Sequence, residues 1–464
     1  MQTLRTRRLA VVLTVAILGL TVPGGDATGR AARTRRSTRR TPVTRPKKPV
    51  PQSPRPTTPL PAGVVVEEFD GIRLLMASTR GRIVDLNADG RDVATAVAGA
   101  NAFTVRMYRA VAAQQAGENV VTGPYTALFA LGMAYGGAKG TTAQEMAGVL
   151  GAEDLPGERW HAAINTYDQT LAARLEGSGV EWTAANKVWL RRGLPVAPTY
   201  VDLLTGRYGS APAEADFSAD PGAQRQAINT WTSKQTKERV KDLFPEGAID
   251  SATEMVLVNA VALDAPWNIP FDPAQTRPGS FLLADGRSVT VPMMSYSMFL
   301  PSARSEDFGA VELPYKGGHL VMDVIVPKDL ARFEAGLTVT SLGALLAQIK
   351  DGGIHLTMPK FSTRTHVGLN AILKDMGMPT AFGAADFSGI TGGANGLYIK
   401  TVEHEAYIEV DETGTKAAAA TGVAMAASHG PTVNVDRPFI YVIRDKAAGA
   451  ILFMGRVTDP SKRA

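Results

Sequence analysis

The residues that could do covalent chemistry in this 464-residue chain are few and poorly placed for it. There is no cysteine, which removes thiol nucleophiles, disulfides and cysteine-based zinc sites. The six histidines, His161, His319, His355, His366, His404 and His429, are scattered without an HExxH or His-x-His pair, so neither a metal nor a cofactor is expected. Ser428 and His429 are neighbours, but adjacent side chains point apart and cannot form a nucleophile–base pair, and no GxSxG elbow exists. Hydrolase chemistry is set aside. What remains is the run from Thr413 to Gly430, TGTKAAAATGVAMAASHG, which has no bulky anchor and ends in Gly430-Pro431. Propensity alone would allow its alanines a helix, but nothing in it could hold a helix down. An exposed loop this long generally has a function. Its alternation suits a strand. Thr415, Ala417, Ala419, Thr421, Val423 and Met425 share one face, and Lys416, Ala418, Ala420, Gly422, Ala424 and Ala426 the other. The first face is small enough at its leading end to enter a packed interior, Lys416 would stay in water, and no proline interrupts the ladder.

The elements that would position this loop can be read coarsely. Composition is globular, 45% hydrophobic and 20% charged, with length enough for a large core. Helices are expected over 103–108, 125–135 (Pro124 near its start) and 141–150, the last with Thr142 and Glu145 in capping-box positions. Strands are expected at 182–190, 255–263, 311–313, 320–326, 354–358, 398–402, 406–410, 439–443 and 451–457. Helices come first and strands dominate the second half, an α+β (mixed α/β) arrangement.

The formal charge of +5 hides an asymmetry. Residues 1–62 hold thirteen Lys and Arg against Asp26 alone, and the remainder is net acidic. Nucleic acid is therefore not an expected partner, although the tail suits an anionic surface. Arg5, Arg7 and Arg8 precede an apolar run too short to span a bilayer, followed by Gly25 and Ala27. This is the pattern of a secretory signal peptide over 1–27, and the mature protein is expected to be extracellular. Residues 28–62 read as a disordered Arg/Thr/Pro linker and 63–96 as an unassigned lead-in with room for an extra strand, ahead of a domain at 97–464.

Val402 to Thr421, VEHEAYIEVDETGTKAAAAT, resembles the strand and hinge that lead into the reactive-centre loop of serpins, a family of serine protease inhibitors. Other blocks are similar in the family's order: Glu118-Asn119-Val120-Val121 with Pro124, Ile228-Asn229 with Trp231, Val256 to Ala260 with Trp267, Glu312 to Tyr315, Met358 to Phe361, Asp386 to Ile390, Asp436 to Phe439 and Phe453 to Val457. The resemblance runs from about residue 97 to the C-terminus. It implies a serpin fold of three β-sheets and about nine helices carrying an exposed, metastable reactive-centre loop at about 412–434. A protease cuts the loop, and the freed half inserts into the main sheet before the acyl-enzyme hydrolyses.

The resemblance also assigns roles. Glu412, Gly414, Thr415, Lys416, Ala417, Ala418, Ala419 and Ala420 match the hinge, with Lys416 standing where the family usually has an acid. Asn259, His404 and Thr126 match the shutter where the strands part. Gly123 there lacks a usual hydroxyl, so a reduced network is expected. Trp267 matches the breach, where the loop first enters. Counting from Glu412 puts the scissile bond at Ser428-His429; counting back from Pro438-Phe439 gives Ala427, and Met425 is a third candidate. Small residues suit the shallow pocket of an elastase-like or subtilisin-like serine protease, engaged by a monomer. Two alternatives stay open: a non-inhibitory serpin-fold binding protein, and a cross-class inhibitor of cysteine proteases. If the loop inserts, Ala417→Arg must bury an unpaired guanidinium at a cost of roughly 3–5 kcal/mol. The variant should keep its fold yet be cleaved without forming an SDS-stable complex; one-to-one trapping by it would overturn insertion.

Overall fold

The computed structural model describes residues 61–77, 81–84, 88–393, 396–415 and 432–464. The expected leader 1–27 and all but the last two residues of the linker 28–62 lie outside the described residues. So do Lys416, Ala417, Ala418, Ala419, Ala420, Met425, Ala427, Ser428 and His429.

Alternation decides where the strand Met255–Pro266 belongs. Leu257, Val261, Leu263 and Ala265 face a large core, while Val256, Val258 and Ala260 face a smaller one. A strand apolar on both faces is stable only with both covered. It lies within an eight-stranded sheet ordered Val64–Phe69, Ile72–Ala77, Ala213–Ala215, Glu181–Arg191, Met255–Pro266, Gly414–Thr415, Thr401–Val410 and Phe361–Gly368. The large core is shared with the helix Pro124–Tyr135, every residue of which is buried. The smaller core lies under the helix Pro221–Gln235, with Trp231 edge-on to Trp189.

A six-stranded sheet, Val120–Thr122, Ile451–Val457, Phe439–Asp445, Leu320–Pro327, Phe308–Pro314 and Ser302–Arg304, packs on the other side of the central helix. A four-stranded sheet joins Thr432–Asn434, Gly353–Pro359, Ser288–Phe299 and Arg277–Leu282. With ten α-helices among the described residues, the architecture is the expected α+β arrangement of three sheets.

Three local expectations are corrected. The strands expected at 398–402 and 406–410 are one strand, Thr401–Val410. Glu403, His404 and Glu405 interrupt the apolar pattern but are all buried and paired: Glu403 with His366, Glu405 with Arg364, and His404 with Asn259. The helix expected at 141–150 is Gly140–Leu150, but Thr142 and Glu145 do not cap it. The Thr142 hydroxyl accepts from the Asp386 N–H at 2.9 Å, and the Glu145 carboxylate accepts from the Thr380 N–H at 2.9 Å and the Thr380 hydroxyl at 2.6 Å, so both hold a neighbouring segment. The lead-in 63–96 holds not one strand but a hairpin, Val64–Phe69 with Ile72–Ala77, turned at Asp70-Gly71, and the first helix already starts at Gly90. The inner strand of the hairpin pairs with Ala213–Ala215 and lengthens the sheet.

Arg456 ties the end of the helix Gly90–Gln114 to the six-stranded sheet. Its guanidinium, buried in the fold, donates to the carbonyls of Ala112 at 3.0 Å, Gln115 at 2.7 Å and Glu118 at 3.1 Å, and pairs with Glu334 at 2.7 Å. A cation on the last carbonyls of a helix is favourable on dipole grounds as well. Arg456→Met should take the guanidinium from the carbonyls of Ala112 and Glu118 and leave Glu334 without its counter-charge, held only by the Tyr108 hydroxyl, at a cost of about 3–5 kcal/mol. Thermal unfolding should show this as a fall of several degrees.

Candidate functional site

The strand Thr401–Val410 runs parallel to Met255–Pro266 and pairs with it directly from Thr401 opposite Val256 to Tyr407 opposite Ala262. Beyond Val410 the chain turns sharply. Asp411 closes the turn, its carboxylate accepting from the Thr413 N–H at 2.7 Å and its own N–H donating to the Gly414 carbonyl at 3.0 Å. Gly414 and Thr415 then enter between the two parallel strands, antiparallel to both: Gly414 faces Pro266, and Thr415 faces Ala265 on one side and Val410 on the other. A Cβ on Gly414 would lie 2.2 Å from the Ala265 carbonyl oxygen, so only glycine fits this approach.

Three side chains fix this end of the sheet. The Trp267 indole N–H donates to the Asp411 carbonyl at 3.0 Å, and its ring stacks on Tyr315 with centroids 4.6 Å apart. The Tyr315 hydroxyl meets the fully buried Thr415 hydroxyl at 2.6 Å. Glu412 pairs with Lys360 at 2.6 Å and accepts from the Thr276 hydroxyl at 2.7 Å. Burial pushes the Glu412 carboxyl up, but these two partners outweigh it and hold its pKa below the usual value. Glu412, Gly414, Thr415 and Trp267 therefore form one cluster. Tyr315, Lys360 and Thr276 belong to it too, and no local spacing in the sequence marked them as its members.

Farther down the same pair of strands, register puts His404 opposite Asn259, both facing the large core. The Gly123 N–H donates to His404 Nε2 at 3.2 Å, so Nδ1 carries the proton and donates to Asn259 Oδ1. The Asn259 amide donates in turn to Asn186 Oδ1 at 2.6 Å. Burial drives the His404 pKa down to about 3, with His366 adding to the effect, and the ring is neutral. Gly123 contributes its backbone N–H to this chain, without a side-chain hydroxyl, and Asn186 extends it. A Cβ there would come within 2.4 Å of Val261 Cγ1. Thr126 sits beside this chain: its hydroxyl donates to the Gly123 carbonyl at 2.8 Å, closing the first turn of the central helix.

On the opposite face of the strand, His366 pairs with Glu403 at 3.2 Å, which raises its pKa against the opposing effect of burial. Among the described residues no cluster of three or more His, Asp or Glu could hold a metal ion, and no helix is long and apolar enough to cross a membrane. The described arrangement is built of backbone ladders and paired polar side chains. It is a sheet with a slot opened at one end and a hydrogen-bonded polar chain across its middle.

Comparison with known proteins fits this geometry. The family model Serpin (serine protease inhibitor) matches residues 98–460. An uncharacterized serpin-like protein of Thermococcus kodakarensis is 35% identical over 368 residues, 78% of this chain and 84% of its own length. Antithrombin-III of Mus musculus is 31% identical, over 77% of this chain and 80% of its own. The crystal structure of the thermophilic serpin tengpin in the native state superposes with a TM-score of 0.74 at 26% identity, covering 82% of this chain and 97% of that one.

The buried neutral His404 has a consequence for stability. Unfolded, it takes a proton below its ordinary pKa of about 6.5; folded, it resists protonation to about 3. The unfolded state thus binds more protons in this window, and stability falls as pH drops from about 6.5 towards 3, by roughly 1.4 kcal/mol per pH unit for this group. His161, also driven to about 3 by burial, acts in the same direction. His404→Gln should flatten the dependence of unfolding free energy on pH between 6 and 4 by about one proton, leaving the share of His161.

Proposed function

The chain belongs to the serpin family, and on that premise we propose that it is a suicide inhibitor of secreted serine proteases, trapping the acyl-enzyme by inserting its cleaved loop into the eight-stranded sheet. The observation that carries this reading is Gly414-Thr415, already seated antiparallel between Met255–Pro266 and Thr401–Val410 at the point where the loop leaves the sheet. Thr415 is buried with its hydroxyl on Tyr315, so the sequence position that must enter first can be accommodated there without an orphaned polar group. The residues that would follow it, from Lys416 to Ala420, are four alanines behind one lysine.

The loop rejoins the fold at Thr432–Asn434, which pairs parallel with the strand Gly353–Pro359. Cleavage at Ser428 or Ala427 would leave that strand attached and release a segment of small residues long enough to run down the slot. Small residues at the cut favour elastase-like or subtilisin-like enzymes over those needing Lys or Arg in the pocket. Action outside the cell is part of the proposal and rests on the leader pattern of residues 1–27.

Incubating the protein with pancreatic elastase and with subtilisin tests it. The expected outcome is an SDS-stable inhibitor–protease adduct near one-to-one stoichiometry, a C-terminal peptide whose mass puts the cut at Ala427, Ser428 or Met425, and a higher melting temperature in the cleaved form. Cleavage without adduct at every ratio, with an unchanged melting temperature, would favour a non-inhibitory binding protein.

A further inference from the structure

Gly414 and Thr415 set the register for whatever would follow them into the slot. Gly414 lies opposite Pro266, and Thr415 opposite Ala265 on one strand and Val410 on the other. Ala265 and Val410 belong to the large core, so the next level down the slot, Asp264 and Glu409, faces outward. The ladder below gives the same level: Tyr407 pairs with Ala262, and two residues further along these parallel strands come Glu409 and Asp264. Two carboxylates thus flank the slot one residue inside its mouth. The residue that would reach this level after Thr415 is Lys416.

These carboxylates belong to an outward row of charges. Glu181, opposite Asp264 on the neighbouring strand, pairs with Lys237. Asp264 pairs with Arg239 at 2.8 Å. Glu405 pairs with Arg364, whose guanidinium also donates to the Arg239 carbonyl at 2.7 Å. Glu409 accepts from the Tyr407 hydroxyl at 3.0 Å. Lys237 and Arg239 lie on the segment that follows the helix Pro221–Gln235. That segment covers the row, leaving the Asp264 and Arg239 side chains only 25% and 12% exposed. Charges partly withdrawn from water and salt act on one another more strongly than charges on an open surface. The sign of a residue entering between Asp264 and Glu409 therefore matters. An acid would be a third carboxylate at one level, whereas a lysine serves both walls.

We propose that Asp264 and Glu409 are positioning residues for loop insertion, receiving the Lys416 ammonium between them as the loop enters. This rests on the insertion reading and adds to it a reason for Lys416, which stands where the family usually has an acid. Guest and host are matched in charge. Lys416 also offers Asp264 a second cation, so the carboxylate stays neutralised if Arg239 is drawn away as the strands part. Farther in, the outward levels are Ala262 with Tyr407 and Ala260 with Glu405, and the sequence supplies Ala418 and Ala420 to them. Between Thr415 and Ala420, Lys416 is the one charge the slot must meet.

Trapping of subtilisin by the full-length protein tests this, with the moles of inhibitor consumed per protease trapped measured at about 50 mM and about 1 M salt. Lys416→Glu should raise that ratio at least about threefold at the lower salt, and the gap should narrow at the higher. Glu409→Lys should also raise it, and the double variant Lys416→Glu/Glu409→Lys should bring it back towards wild type. Asp264→Asn should soften the Lys416→Glu defect. Melting temperature of the uncleaved proteins checks that each variant is folded. Trapping by Lys416→Glu as efficient as wild type at low salt, or a double variant no better than Lys416→Glu, would overturn the inference and leave insertion standing. If the wild type forms no adduct, the inhibitory reading falls, and the rise in melting temperature on loop cleavage becomes the readout. The inference then requires a smaller rise for Lys416→Glu, restored in the double variant; equal rises, or none in the wild type, overturn it.

Discussion

The structure turns on a parallel pair of strands in the middle of a sheet whose other neighbours are mostly antiparallel. Thr401–Val410 and Met255–Pro266 hydrogen-bond to one another over seven residue pairs, then separate at one end around Gly414-Thr415. Parallel ladders are slightly weaker per residue than antiparallel ones. A strand continuing inward from Thr415 would run antiparallel to both neighbours and so exchange one parallel ladder for two antiparallel ones. In that exchange the backbone itself supplies a driving force for the proposed insertion. A second contribution would come from transferring alanine and valine side chains out of water.

Such an exchange is possible only if the groups along the seam do not lose their partners as the strands move apart. The chain Gly123–His404–Asn259–Asn186 crosses the seam in the buried face of the sheet. Its histidine is neutral, so parting the strands would break a bond between uncharged groups rather than strand an ion. The charged groups of the same strands, Glu403 and Glu405, are instead paired across the outer seam to His366 and Arg364 on Phe361–Gly368, and that seam has no need to open. Carboxylate pairs hold the strands that stay together, and neutral hydrogen bonds hold those that would part.

Much of this could be read from the amino-acid order, and the failures have physical causes. The α+β arrangement, the fully buried helix after Pro124 and most strands of the second half follow from periodicity alone. Thr401–Val410 was divided in two because three consecutive polar residues in a buried strand look like a break until their partners, far away in the chain, are known. Thr142 and Glu145 had the spacing of a cap, but a tertiary contact with Asp386 and Thr380 claimed them. At the site, His404 and Asn259 were legible only through family likeness, since their meeting depends on register between strands 145 residues apart. Asn186 carried no such mark, and Tyr315 and Lys360 lay in family-like blocks with no role at the site assigned to them. The hairpin lies outside the family likeness, and its alternation, Val-Val-Val-Glu-Glu-Phe, is too weak to announce a strand.

That hairpin also changes how the molecule ends at its flank. Adding two strands beyond Ala213–Ala215 moves the border of the main sheet, among the described residues, outward to Val64–Phe69, where Glu67 and Glu68 point to opposite faces just before the turn and Glu68 meets Arg73 at 3.6 Å. Acidic side chains on a terminal strand repel a like border on another molecule and so discourage lateral stacking into fibres. The interior slot and this outer margin are thus opposite in kind. One already holds Gly414-Thr415 from its own chain, and the other carries charged side chains of the kind that discourage pairing with a neighbour.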